Sequence, residues 1–371
     1  MDHEAIKRRQ SLKVIISEVI MVIAVIVTVI VLALIVSGYW LGSGFKVERQ
    51  GMLQISSIPT GADVIIDGES SWLQRTNTSK VLPTGEHVVT LKREGYDSWT
   101  KTINISEGLL YRIHYPRLFL LERTTTPITD TIGTTKVFVS PSHDTMLLYS
   151  GDPAVLNTSV YSVLPKEQNS AFTTDPVPNW LSINLDADTP EVKPVTLSML
   201  YEHFKKPEPS KKETVKDFNP NLKISESEKL FFSKFYEDRY LTTLNNDVVT
   251  VYKKEYDEPV LKVTLEFVPE ITHAGHDGEF MIFSNKSRIA TLDMETMSVG
   301  YWNTDAESYD WLDNDMIYSV SAGELYVYDY DGLNRRIIAH DVSSRFPVIL
   351  TRDKWLYYFS DDNLIREQIT E

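Results

Sequence analysis

The chain has 371 residues, 42% of them hydrophobic and 24% charged, a formal net charge of −15 and no cysteine. That length makes room for two or three domains. The acidic balance argues against a broad basic face for nucleic acid or anionic lipid. The missing cysteine excludes disulfides, thiol catalysis and cysteine-ligated metals, and leans toward a prokaryotic surface.

The first element is an apolar run over residues 14–36, from Val14 to Val36, interrupted by a single charge at Glu18. A bilayer core needs about 20 apolar residues at about 1.5 Å each, so the run predicts a transmembrane helix. Its valines and isoleucines would suit strands in water. In lipid the backbone must satisfy its own hydrogen bonds, and helix wins over propensity. The alternative is a cleaved signal peptide, but such apolar regions run about 7 to 15 residues, and Ile35-Val36-Ser37 is a poor cleavage site. Lys7, Arg8, Arg9 and Lys13 precede the run, while Tyr39, Trp40 and Phe45 follow it. Basic residues stay inside and aromatics mark the interface. The expected layout is a cytoplasmic tail at 1–13, a span at 14–36, a juxtamembrane linker at 37–50, and everything after it outside the cytoplasm. The lipid bilayer is thus the first expected partner.

Residues 51–122 read as short strands joined by turns. Leu53-Gln54-Ile55-Ser56 alternates apolar and polar, as does His87-Val88-Val89-Thr90-Leu91-Lys92. Asp67-Gly68 is a tight hairpin signal, and Pro59 and Pro83 fix turn entries. His87 and Tyr96 are read as structural residues of this module.

The same residues carry a family resemblance. Ser57-Ile58-Pro59-Thr60-Gly61-Ala62, then Val64, Ile66, Asp67 and Gly68, then Leu82, Pro83, Gly85, His87, Val89 and Leu91, then Gly95-Tyr96, resemble the PEGA domain. Thr60 stands where the family has its naming Glu, and Thr76-Asn77-Thr78 lies where a Thr-Pro is usual. The resemblance implies a small β-sandwich of prokaryotic surface proteins, a spacer or binding module close to the membrane, without catalytic residues.

From residue 130 to 371 a pattern recurs: strand, polar turn, then an apolar strand ending near Ser. It appears at Lys136–Ser150, Leu222–Lys234, Thr272–Ser284, Tyr309–Val320 and Pro347–Ser360. A second hairpin follows most of them, as in Ser321–Asp329, the turn Asp331-Gly332, and Arg335–Ala339. Four short strands per repeat of about 40 to 45 residues predict a β-propeller of about five blades, with closure borrowed from residues 117–128. The alternative is an irregular β-sandwich. Trp311, Asp315, Ile317 and Tyr318 through Leu325, Val327, Asp329, Asp331 and Gly332 resemble a TolB-like or WD40-like blade. Residues 201–221, polar and lysine-rich, read as a loop insertion between blades.

The chemistry-bearing motifs are few. The sequence has no P-loop, G-x-S-x-G or H-E-x-x-H pattern. His273, His276, Asp277 and Glu279 offer metal-ligand chemistry, yet they occupy a turn between predicted strands where Gly and Asp are expected anyway. Asp329-Tyr330-Asp331-Gly332 echoes the start of a calcium loop without the downstream acids such a loop needs. Asp313 and Asp315 are read as turn residues. No catalytic, cofactor-binding or metal site is therefore assigned, and no cofactor is expected. The late aromatics Tyr318, Tyr326, Tyr328, Tyr330, Trp355, Tyr357 and Tyr358 suit either a blade core or a sugar-binding surface. The resulting expectation is a mainly β, membrane-anchored, non-enzymatic protein that binds an envelope protein or a cell-wall polysaccharide. An extracellular glycan-cleaving enzyme is the alternative, requiring two carboxyls about 5 to 10 Å apart. A third reading, signal coupling across the membrane, would need another chain, because residues 1–13 are too few for an enzyme.

Overall fold

A computed structural model describes residues 18–30, 32–33, 39–41, 47–130, 133–140, 143–152, 176–204, 214–235, 237–275, 278–285, 287–306, 308–361 and 363–371. The chain divides into two compact units, Met1–Leu118 and Phe119–Glu371.

In the first unit, residues 18–30 and 32–33 are helical, and their side chains are exposed. Among the described residues no helix is long and apolar enough to cross a membrane. The rest of the predicted span, residues 14–17, 31 and 34–36, lies outside the described residues.

Two four-stranded sheets follow. In the first, Val47–Ile55 is the centre. It pairs antiparallel with Tyr39–Leu41 and Thr78–Pro83, and parallel with Leu110–Ile113. The second runs in the order Glu69–Arg75, Asp63–Ile66, Gly85–Lys92, Trp99–Ile105. Burial alternates strictly along Trp99–Ile105, so every second side chain enters the core. Trp99, Leu53, Ile55, Leu91 and Ile105 are among the fully buried side chains. The predicted hairpin is present: Asp67 and Gly68 both have positive φ, 52° and 81°, as a two-residue turn matching strand twist requires.

The second unit contains five four-stranded sheets among the described residues. The first four are antiparallel meanders in chain order. They are Lys136–Val139, Thr145–Tyr149, Trp180–Asn184 and Val192–Pro194; Lys229–Phe235, Asp238–Asn245, Val248–Lys253 and Leu261–Thr264; Ile271–Ala274, Phe280–Ser284, Arg288–Asp293 and Ser298–Asn303; and Ser308–Trp311, Met316–Ser321, Glu324–Asp329 and Arg336–Ala339. The fifth joins Ile349–Thr351, Trp355–Ser360 and Asn363–Gln368 to Thr125–Asp130 from the start of the unit. First and last strands thus close one sheet, the topology of a β-propeller-like fold. The closing strand extends two residues past the stretch expected from sequence.

Inner strands such as Phe280–Ser284 are buried at every position, because stacked sheets cover both faces. Core clusters span neighbouring sheets: Leu244, Val249 and Val251 of the second pack with Met281, Phe283 and Leu292 of the third.

Two details differ from the sequence reading. In the second sheet, Leu222–Ser225 is not a strand; the hairpin runs through Lys229–Phe235 and Asp238–Asn245. Ser225 and Glu228 make a local turn instead, with the Glu228 N–H donating to the Ser225 carbonyl at 3.1 Å. The Ser225 hydroxyl also accepts from the Ser227 N–H at 3.4 Å, a side chain competing for a backbone group. The predicted insertion at 201–221 contains the end of one helix, Leu197–Phe204, and all of another, Val215–Phe218. Thr214 and Asp217 form a reciprocal capping box on the latter. Residues 205–213 lie outside the described residues.

Candidate functional site

The motif residues resolve mostly into turns and latches. His273, on Ile271–Ala274, is half-exposed, and its Nδ1 lies 3.2 Å from Asp310 Oδ1. That hydrogen bond raises the His273 pKa above its usual 6.5, against a smaller opposing effect of burial. His276 and Asp277 lie outside the described residues, and Glu279 is buried directly before Phe280–Ser284.

Asp313 Oδ1 accepts from the N–H groups of Asp315 and Met316 at 2.9 and 2.8 Å, a side-chain-built turn. Asp331 Oδ1 likewise accepts from the Leu333 N–H, and Asp329 Oδ2 from Asn334 Nδ2 at 2.7 Å. These acids support the hairpins that contain them. In the first unit, His87 is buried with Nδ1 2.6 Å from Asp67 Oδ2 and Nε2 2.8 Å from the Pro83 carbonyl oxygen. This bond, with a second from the Val88 N–H, holds the Asp67 carboxyl below its usual range.

The aromatic cluster divides. Tyr318, Tyr328, Tyr330, Tyr357 and Tyr358 are buried, whereas Tyr326 and Trp355 are partly exposed. Burial lifts the Tyr318 hydroxyl to about 12. At the surface, the Arg335 guanidinium stands 3.8 Å over the Tyr326 ring, and Trp302 packs on Tyr328 at 5.3 Å. This stack is an amphipathic patch rather than a pocket.

A cleft of about 320 Å³ lies on the first sheet of the second unit, lined by Thr145, Ser182, Ile183, Asn184, Ala187, Thr189, Glu191, Lys193 and Met199. Local pairing builds it. Thr145 is the cross-strand partner of Asn184, and Ser182 of Lys193. The Ser182 hydroxyl donates to the Lys193 carbonyl at 3.2 Å. Met199 comes from the helix Leu197–Phe204, which is anchored by Phe204 meeting Phe138 edge-on at 5.0 Å.

The fifth sheet braces the loop that makes the cleft wall. Arg352 Nε and Nη1 lie 3.5 Å from Asp186 and 3.2 Å from Asp188. Arg366 Nη1 donates to the Asp188 carbonyl at 2.7 Å, and the Tyr357 hydroxyl to the Leu185 carbonyl at 2.9 Å. Arg366 is itself buried and stacks 3.5 Å over the Trp355 ring.

Chemically, the cleft offers hydroxyls, an amide and one ion pair, Glu191 with Lys193 at 3.1 Å. Glu191 is the one carboxylate among the described lining residues. Such a lining suits a polar ligand held by hydrogen bonds. Sequence reasoning missed this cleft because Thr, Ser and Asn on a strand look like an ordinary solvated face. Only the meeting of Thr145, Asn184 and the helix at Met199 makes them concave.

Comparison with known proteins adds one specific match. Residues 50–116 match the PEGA domain. No curated protein matches the chain. Solved structures similar in shape include the N-terminal domain of Nup159, 11% identical over 41% of this chain and 43% of that one, with a TM-score of 0.27. A chain of the mitotic checkpoint complex is 13% identical over 36% of this chain and 48% of that one, with a TM-score of 0.24. Kuenenia stuttgartiensis hydrazine synthase is 14% identical over 62% and 56%, with a TM-score of 0.23. In each case the chain spans less than two thirds of the other protein. At these scores the likenesses carry no weight, and the propeller-like assignment rests on strand order.

Proposed function

We propose that this chain is a membrane-tethered binding or scaffolding protein. Residues 14–36 span a bilayer and carry the PEGA sandwich and the propeller-like unit on the extracytoplasmic side. One observation carries the tether. Residues 18–30 are helical, and the large apolar side chains among them stay exposed, from 51% at Val19 to 63% at Met21. A water-soluble helix does not leave every face apolar. The hydroxyl of Thr28, the helix's polar side chain after Glu18, donates to the Ala24 carbonyl at 2.8 Å, as a group without water must.

The binding role is supported by the PEGA match and by the braced, hydroxyl-lined cleft. Its lining suits a cell-wall polysaccharide, and an envelope protein is the other partner class. A single lining carboxylate, already tied to Lys193, favours binding over glycan cleavage, which needs two.

The absence of native cysteine supplies the first test. In intact bacterial cells, an impermeant maleimide should label Ser43→Cys and spare Ser11→Cys, and the chain should resist alkaline carbonate extraction. Carbonate release, or labelling of Ser11→Cys alone, would overturn the tether. For binding, the full chain in detergent is offered cell-wall glycans and envelope extract. Retention without breakdown supports the proposal, and glycan turnover sinks it.

A further inference from the structure

We infer that the outer face of the first sheet of the PEGA sandwich rests on the membrane surface, making the module a membrane-apposed base. The two outer faces of the sandwich differ. On the second sheet the exposed positions of Trp99–Ile105 are Thr100, Thr102 and Asn104, and the one large apolar side chain found exposed on that sheet among the described residues is Val88, 44% exposed, across from Thr102. On the first sheet, Val81, Met52 and Leu110 are 49%, 42% and 39% exposed. They form one row: Met52 is the cross-strand partner of Val81 on one side and of Leu110 on the other. Leu109, 63% exposed, extends the row at the turn, where its carbonyl accepts from the Met52 N–H at 2.9 Å. Adjacent large apolar side chains outside a core mark a contact surface.

The chain itself names the occupant, given the tether proposed above. The apolar run ends at Val36, and the strand Tyr39–Leu41 begins three residues later. A link that short reaches about 10 Å at most. Tyr39–Leu41 is hydrogen-bonded to Val47–Arg49, in the strand that contains Met52 three residues further on. At about 3.4 Å per residue, the row lies about 10 Å along the sheet from the strand that leaves the bilayer. A surface held this close meets lipid at high effective concentration without any affinity of its own. The contact is apolar, at headgroup depth, and needs no basic face, consistent with the acidic chain.

The test uses the full chain in phosphatidylcholine vesicles, carrying one environment-sensitive fluorophore at Val81→Cys, Thr102→Cys or Ile26→Cys. The label at 81 should be blue-shifted, quenched by lipid bearing a nitroxide near the headgroup, and several-fold less quenched by aqueous iodide than the label at 102. The label at 26 should be quenched by a nitroxide deep in the acyl chain. If 26 is quenched and 81 behaves like 102, apposition is wrong and the tether stands. If 26 is not quenched by lipid, tether and apposition fall together. Iodide protection at 81 without lipid quenching, accompanied by energy transfer between two labelled copies, would replace the bilayer with a second copy of the chain.

Discussion

The sandwich and the propeller-like unit solve the same problem, burying β-sheet, in different ways. In the sandwich Trp99–Ile105 shows one face to the core and one outward, alternating at every position. In the second unit the inner strands are covered on both sides, and Phe280–Ser284 is buried throughout. The polar residues follow suit. The sandwich exposes strand threonines such as Thr100 and Thr102 and encloses Thr76, whereas the second unit encloses Thr242, Thr243, Thr291 and Ser319. Two of these hydroxyls are partnered, Thr291 donating to the Tyr330 carbonyl at 2.8 Å across neighbouring sheets and Ser319 bonding the Tyr328 hydroxyl, while those of Thr242 and Thr243 meet no partner among the described residues. A one-sided strand tolerates change on its outer face, while a two-sided strand tolerates almost none.

The largest expected effects probe the two cores directly. Trp99→Ala in the sandwich and Phe280→Ala in the second unit each remove a fully buried ring. Each should cost about 3 to 5 kcal/mol. Amide hydrogen exchange should rise across Gly85–Lys92 for the first and across Arg288–Asp293 for the second. The contrast lies in the flanking positions. Thr102→Val should leave exchange in the sandwich unchanged, whereas Thr291→Val should loosen both sheets that its hydroxyl joins. Equal tolerance at the two threonines would break the comparison.

Next comes a buried charge pair of the second unit. Glu367 is buried and held by Arg123 Nε at 2.5 Å and the Tyr358 hydroxyl at 2.9 Å, and Arg123 also donates to the Ile338 carbonyl at 2.8 Å. Arg123 lies beside the closing strand Thr125–Asp130 and Glu367 on its partner strand, so the pair fastens the closure. Arg123→Met strands a buried carboxylate and should destabilise by about 3 to 5 kcal/mol. Pairing it with Glu367→Leu should recover much of that loss in a denaturant midpoint measurement. A smaller effect is expected at Gly332, where φ is +78° and an added Cβ would sit 2.6 Å from the Trp302 ring. Gly332→Ala should cost about 1 to 3 kcal/mol and displace Trp302, which its fluorescence would report.

The difference between the regions also governs what the sequence could reveal. In the sandwich, alternation and the Asp67-Gly68 turn were readable because each strand follows one periodicity. In the second unit, Tyr318 and Tyr358 looked equally fit for core or surface, because a strand buried on both faces carries no alternation to separate them. The second sheet was misregistered at Leu222 for a similar reason: Ile224 offered an apolar start, and only the pairing of Leu230 with Thr243 fixes the true hairpin. The cleft was not legible at all. Its residues belong to three strands, a loop and a helix, and the loop that forms its wall is braced at Asp186 and Asp188 by Arg352 and Arg366, more than 160 residues away.

The smallest effect gives the sharpest contrast, because each region carries a His–Asp pair and the two should respond to pH with opposite sign. In the sandwich the shifted group is Asp67, held below its usual 3.8 first by the hydrogen bond to His87. A lowered carboxyl contributes stability present above its unfolded pKa and lost as pH falls through the folded one, so this pair weakens in acid below about pH 4. In the second unit the shifted group is His273, raised above 6.5 first by its bond to Asp310. A raised histidine contributes stability present below the unfolded value and lost as pH rises through the folded one, so this pair weakens from about pH 6.5 upward. Both Asp67 and the His273–Asp310 pair are largely open to solvent, which limits each contribution to below about 1 kcal/mol. The His273 ring-proton resonance should titrate above the usual range and return to it in Asp310→Asn. The stability of that variant should no longer fall between pH 6 and pH 8 by the wild-type increment. Asp67→Asn should leave that window untouched and flatten only the acid limb. A single variant that flattened both limbs would mean that the two pairs are not independent devices of their separate regions.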